Sequence, residues 1–184
     1  MSTTDFTHLP ADLPIPIDDG AADHLAGMRI PDIELPATSG AKVNLSKLGS
    51  RTVVFCYPRT GRPGEDPPEG WDEIPGARGC TPESCGFRDN FPAFQQRRIR
   101  VFGLSTQDTD YQREVVGRLQ LPYEMLSDRD LRFATALRLP TFEVAGMTLI
   151  KRLTLVIDAA VISRVIYPVF PPDRHASELL SALG

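Results

Sequence analysis

Two cysteines set five positions apart, in Gly79-Cys80-Thr81-Pro82-Glu83-Ser84-Cys85, are the residues of this chain best suited to chemistry. The nucleophilic form of cysteine is the thiolate, and a helix N-terminus, with its free N–H groups and dipole, favours that anion. The residues after Cys80 predict such a terminus: Thr81 as N-cap, Pro82 at the first helical position and Glu83 complementing the dipole. Cys85 then falls about one and a half turns into the same helix. Two Cα atoms five apart in an ideal helix are roughly 8–9 Å distant, beyond the ~7 Å reach of a disulfide. Any bond between the two requires the first turn to unwind.

The same pair could instead be structural thiols or half of a metal site. A structural zinc takes about four ligands, and the histidines are His8, His24 and His175, the first two in an N-terminal arm. A metal is therefore not expected. Cys56 differs, standing inside an apolar β-favouring run at 52–57, where it reads as a small core hydrophobe.

The elements around the cysteines follow from patterning. With 184 residues the chain suits one domain, and a hydrophobic fraction of 41% with a net charge of −4 fits neither disorder, a membrane span nor a nucleic-acid protein. The most apolar span, 153–162, is interrupted by Asp158, and no basic-then-apolar leader opens the sequence, so a soluble cytoplasmic protein is expected. Residues 1–25, rich in proline and acid, predict an arm lying on the surface or partly disordered, with the domain occupying 26–184. A hairpin is expected about Ser39-Gly40, then a buried strand over 52–57 ended by Pro58. From 58 to 82 there are six prolines and five glycines in 25 residues, a loop of a length usually kept for function. Phe87, Phe91 and Phe94 give the helix after it a buried face, with a kink at Pro92. Then come a strand at 99–105, a helix at 109–119, a short strand at 123–126, a helix capped by Ser127, a hairpin of 149–157 with 161–167, and a helix at 177–183. This order implies an α/β fold, a central mixed sheet with helices on both faces.

The segment 79–89 closely resembles the active-site segment of the Q-type peroxiredoxins, the bacterioferritin-comigratory-protein group. The likeness extends to 53–58, Phe102-Gly103-Leu104-Ser105, Leu121-Pro122-Tyr123, Leu126-Ser127-Asp128 and 152–158, covering about 28–184. It implies a thioredoxin-like fold and a thiol peroxidase acting on hydrogen peroxide, organic hydroperoxides or both. Cys80 takes the place of the peroxidatic cysteine, Cys85 of the resolving cysteine and Arg152 of the arginine that supports the thiolate. A thioredoxin- or glutaredoxin-like reductant and a monomer or homodimer are implied, with no cofactor. The competing class is a thioredoxin-fold module that senses redox state or binds copper.

Two features depart from the family pattern. Pro58 and Cys80 are 22 positions apart, so an insertion occupies about 59–77, with Trp71 inside it as an anchor or a partner contact. And Ala77 stands where the family has a threonine, three residues before the nucleophile. Thr60, near the end of the strand, is expected to supply the missing hydroxyl.

Overall fold

Glu34–Pro36 (β1) and Lys42–Asn44 (β2) pair antiparallel, with Leu35 opposite Val43, in a computed structural model that describes residues 8–184. Next comes Thr52–Cys56 (β3), five β-favouring residues that are all buried. Cys80–Gln96 (α1) follows the long insertion, then Arg100–Ser105 (β4), Thr109–Leu119 (α2), Glu124–Ser127 (β5) and Arg132–Leu137 (α3). A second hairpin, Thr141–Val144 (β6) with Met147–Ile150 (β7), precedes Leu153–Asp158 (β8), Val161–Ile166 (β9) and His175–Leu183 (α4).

The central sheet has the order β5-β4-β3-β8-β9. Its first three strands are parallel, β8 is antiparallel to β3, and β9 to β8. Because side chains alternate along β3, Val54 and Cys56 enter one core with Phe133 of α3, while Val53 and Phe55 enter another with Phe87, Val115 and Leu179 of α1, α2 and α4. Helices therefore cover both faces, as the order of elements implied. Phe55 and Phe87 stack at 4.3 Å between centroids, which ties α1 to the sheet. Each such buried aromatic contributes about 2–3 kcal/mol from burial alone.

The parallel arrangement fixes where the site must lie. β3 and β4 run side by side and end at one edge of the sheet, and β8, being antiparallel, starts there: Leu153 is opposite Cys56. The N-terminus of α1 and the residue before β8 thus meet at the carboxyl end of β3, the edge where open α/β sheets place their ligands.

Several expectations are corrected. The apolar run 149–157 is two strands, not one: the chain leaves the β6–β7 hairpin at Ile150 and enters the central sheet at Leu153, turning at Lys151 and Arg152. β6 lacked an apolar signal because its residues alternate between exposed and half-buried. Ser127 closes β5 and donates to the Gln107 carbonyl; the N-cap position of α3 is Leu131, and the side chain that serves the helix's free N–H groups is Asp128, whose carboxylate accepts from Phe133 and Ala134. Helix α1 is one helix from Cys80 to Gln96 with Pro92 inside it, as the spacing of its phenylalanines implied. Ala22 and Leu25 are buried in the core, so the packed unit takes in the end of the segment expected as an arm. Among the described residues no helix is long and apolar enough to cross a membrane.

Candidate active site

The helix that carries both cysteines starts two residues earlier than its sequence signals suggested. Gly79, not Thr81, is the N-cap, with φ 108° and ψ 12°, and Cys80 is the first helical residue. Only glycine suits position 79. Its φ is strained for any L side chain, and an added Cβ would sit 2.4 Å from Cγ of Pro172. Pro82 moves to the third helical position, where it costs no hydrogen bond because the first turn's N–H groups have no partner within the helix.

Cys80 is buried, 3% exposed, although a long Pro/Gly-rich loop leads into it. Arg152, also 3% exposed, reaches it from the turn before β8. Its Nη2 donates to Cys80 Sγ at 3.1 Å and to the carbonyls of Ala77 and Arg78 at 3.2 Å each, and its Nε donates to Gly76 O at 3.3 Å. The guanidinium therefore fixes the approach to the cysteine as well as touching the sulfur. Its Nη1 forms an ion pair with Oε2 of the fully buried Glu83. Sequence reading assigned Glu83 only to the helix dipole. Three residues beyond Cys80 it lies on the cysteine's side of the helix, and that spacing was the available signal.

One cation thus faces two acidic groups. Burial pushes the Cys80 thiol up, Arg152 pulls it down by charge and by its hydrogen bond, Glu83 adds to the upward push, and the Arg59 backbone opposes it. This corrects the expectation of a net downward shift, because the helix end is enclosed. Burial also pushes Glu83 up to about 7, against the pull of Arg152. Burial works against the charge on Arg152, but Cys80 and Glu83 together hold it protonated. His175, buried with Nε2 2.7 Å from Thr154 Oγ1, is pushed down to about 4 by burial, with Arg152 adding to the effect.

Cys85 is half-buried in the second turn of α1, and both cysteines are free thiols. The turn between them is tied down by Ser84 Oγ donating to Cys80 O at 2.9 Å and by Tyr123 OH donating to Ser84 O at 2.7 Å. Cys56 is fully buried in β3, and burial, with Glu83 and Asp128 adding, holds its thiol well above the ordinary range. Among the described residues no cluster of His, Cys, Asp and Glu is placed to hold a metal.

The structure brings Cys80 and Arg152 together and does not bring Thr60 to them. Thr60 is buried, but its N–H and hydroxyl both donate to Oε1 of Gln107, at 2.9 and 3.1 Å, and its carbonyl accepts from Gln107 Nε2. A side chain 47 residues away takes the hydroxyl, so the expectation that Thr60 replaces the threonine missing at Ala77 is corrected. Thr60 anchors the start of the insertion. Trp71 anchors its far part, buried with Ala77 and Leu149 and lying 6.2 Å from the Phe142 ring between centroids.

Comparison with known proteins agrees with this geometry. The Redoxin family matches residues 25–183. Peroxiredoxin bcp1 of Schizosaccharomyces pombe is 32% identical over 123 residues, 65% of this chain and 55% of that protein. Peroxiredoxin Q, chloroplastic, of Sedum lineare is 30% identical over 159 residues, 85% of this chain and 76% of that protein. The chain spans between 55% and 66% of the length of several of these relatives. Among solved structures, peroxidoxin BcpB from Mycobacterium tuberculosis superposes with a TM-score of 0.68 at 30% identity, covering 86% of this chain and 95% of that one. The fold is thioredoxin-like, and the chain belongs to the Redoxin family and, within it, to the peroxiredoxins of the Q type.

Proposed function

We propose that this chain is a thiol peroxidase in which Cys80 reduces peroxides and Cys85 resolves the product. The observation that carries the reading is the Arg152 guanidinium 3.1 Å from Cys80 Sγ at the first residue of a helix. A preorganised cation there favours the thiolate and stabilises charge as the O–O bond breaks. The thiolate sulfur forms an S–O bond to one peroxide oxygen, the O–O bond cleaves, and the other oxygen leaves as water or an alcohol after taking a proton. Sulfur is oxidised by two electrons and the peroxide is reduced by two. The Cys85 thiolate then attacks the sulfenic sulfur, the S–O bond breaks and hydroxide leaves as water after taking a proton, forming the Cys80–Cys85 disulfide, which a thioredoxin- or glutaredoxin-like dithiol reduces to two thiols as it is itself oxidised to a disulfide.

Both cysteines lie in α1, so the disulfide step unwinds the first turn and breaks the Ser84–Cys80 bond. We assign the chemistry to residues 26–184 and a cytoplasmic, antioxidant role to the protein, since its thiol chemistry needs a reducing compartment. A coupled assay of peroxide consumption with thioredoxin, its reductase and NADPH tests the reading. Wild type and Cys56→Ser turn over, and Cys80→Ser does not. Oxidation of Cys80 to the disulfide without turnover would favour a redox-sensing module instead, and an unoxidised Cys80 a copper-binding one.

A further inference from the structure

The insertion at 59–77 supplies no reacting side chain to the chemistry proposed above, yet it lies directly over the cysteine. Arg59, Pro67, Pro68 and Trp71 line the cavity that ends on Cys80 and Thr81. That cavity leaves about 20 Å³ of free room, and a single water needs roughly 10–15 Å³ on the same measure. Surface grooves elsewhere on the molecule offer 250–480 Å³. Of these spaces the one that ends on the cysteine is the most confined.

This roof is pinned rather than loose. At its start Thr60 is held by Gln107, Gly61 O accepts from Arg118 at 2.9 Å, and the Arg62 guanidinium lies 4.0 Å from the Tyr111 ring centroid. At its far end Trp71 is 5% exposed in a small core of its own, and Arg78 donates to both carboxylate oxygens of Asp72 at 2.9 and 3.1 Å. The prolines between those anchors narrow the backbone's freedom further. Lifting the roof to admit a larger molecule breaks contacts with α2, with the β6–β7 hairpin and with the residues just before Cys80.

We infer that the insertion is a size filter, with Trp71, Pro67 and Pro68 as specificity-determining residues, so that Cys80 takes hydrogen peroxide and rejects hydroperoxides with branched or aryl tails. The inference rests on the peroxidase reading and concerns only the group R in R–O–O–H. The sulfur bonds to the terminal oxygen, and R–O leaves as R–OH after gaining a proton, so R must find room in the cavity.

The test measures the rate of sulfenic acid formation at Cys80, by rapid quench with dimedone and mass spectrometry, with hydrogen peroxide and with cumene hydroperoxide. The ratio of the two rates is normalised to that of free cysteine. Wild type favours hydrogen peroxide by at least about 30-fold, a margin within the reach of steric exclusion from a pocket. Trp71→Ala, and separately Pro67→Gly with Pro68→Gly, lower the ratio at least about fivefold through a faster cumene hydroperoxide reaction. A wild-type ratio within about threefold of free cysteine overturns the filter, and so does an unmoved ratio in the variants that circular dichroism shows folded. If neither variant folds, the wild-type ratio alone decides. Inertness of Cys80 toward both peroxides is a different result, which removes the peroxidase reading itself.

Discussion

Replacing Arg152 by glutamine removes the positive charge that faces Cys80 and keeps much of the side chain's reach. At the observed 3.1 Å and an effective dielectric of about 20, two unit charges attract by about 5 kcal/mol. That figure is a ceiling, because the guanidinium charge is spread over three nitrogens and shared with Glu83. Loss of one preorganised donor at a developing charge lowers a rate by about 10²–10³-fold, or roughly 3–4 kcal/mol, which lies under the ceiling. The expected outcome is a drop of that size in the second-order rate of Cys80 oxidation by hydrogen peroxide at pH 7. The pH midpoint of the rate also moves upward, since burial and Glu83 remain as the upward pushes on the thiol once Arg152 no longer opposes them. Glu83 loses its partner too, and breaking a buried pair costs about 3–5 kcal/mol. A carboxyl already pushed up to about 7 escapes much of that cost by taking a proton. Stopped-flow oxidation between pH 6 and 8 on folded protein is therefore the right assay. A folded Arg152→Gln variant with a rate within about threefold of wild type and an unmoved midpoint would refute the reasoning.

Two buried groups near the site should leave opposite marks on stability. His175 at about 4, against an ordinary 6.5, stays neutral in the fold, so its contribution is present above 6.5 and lost as pH falls toward 4; Glu83 at about 7, against 4.5, contributes below 4.5 and loses that as pH rises toward 7. Each amounts to about 3 kcal/mol, so wild-type stability should stay nearly level across the shared window of 4.5–6.5, whereas denaturant titrations of His175→Gln should show stability falling with pH there and those of Glu83→Gln rising; equal slopes in all three proteins would sink the assignment. In Cys85→Ser the sulfenic acid on Cys80 has no partner and should progress to sulfinic acid under excess peroxide, while wild type should form the intramolecular bond with loss of amide protection over 81–86. Mass spectrometry that finds equal sulfinic acid in both proteins, or exchange that finds 81–86 equally protected in reduced and oxidised wild type, would count against the resolving role.

What the sequence disclosed and what it withheld divide along physical lines. Strand β3 was legible because five β-favouring residues in a row have few other uses, and α1 because its phenylalanines repeat at helical spacing. The turn at Lys151 and Arg152 was hidden inside an apolar run whose two halves serve different sheets, and apolarity alone does not show which sheet a strand joins. That turn is what places the guanidinium at the end of β3. The burial of Glu83 was withheld for a related reason, since a carboxylate in a first helical turn has a sufficient local explanation in the dipole. Thr60 failed as a site residue because its partner, Gln107, is a long-range neighbour that no local pattern announces.

The two departures from the family pattern, the insertion and Ala77, have one structural cause. Ala77 is fully buried, and its methyl belongs with Trp71 and Leu149 in the small core that holds the roof in place. The position that carries a hydroxyl in the family is here part of the insertion's anchor, while its backbone still serves the site: the Ala77 carbonyl accepts from Arg152 Nη2 and lies 3.6 Å from Cys80 Sγ, where the thiol can donate to it. In the chemistry we propose, support for the thiolate rests on Arg152 and the Arg59 backbone, and we expect no gap that a threonine would refill. Ala77→Thr restores the family residue and adds a branched polar side chain to a closed apolar cluster. Overpacking of that kind costs about 1–3 kcal/mol, and thermal unfolding should show it as a fall in Tm of several degrees. Cys80 oxidation should be no faster than in wild type, and cumene hydroperoxide should gain on hydrogen peroxide as Trp71 is pushed off its seat. An Ala77→Thr protein with unchanged Tm and a faster reaction with hydrogen peroxide would mean that the site does want the hydroxyl, and that Ala77 and the roof are separate changes.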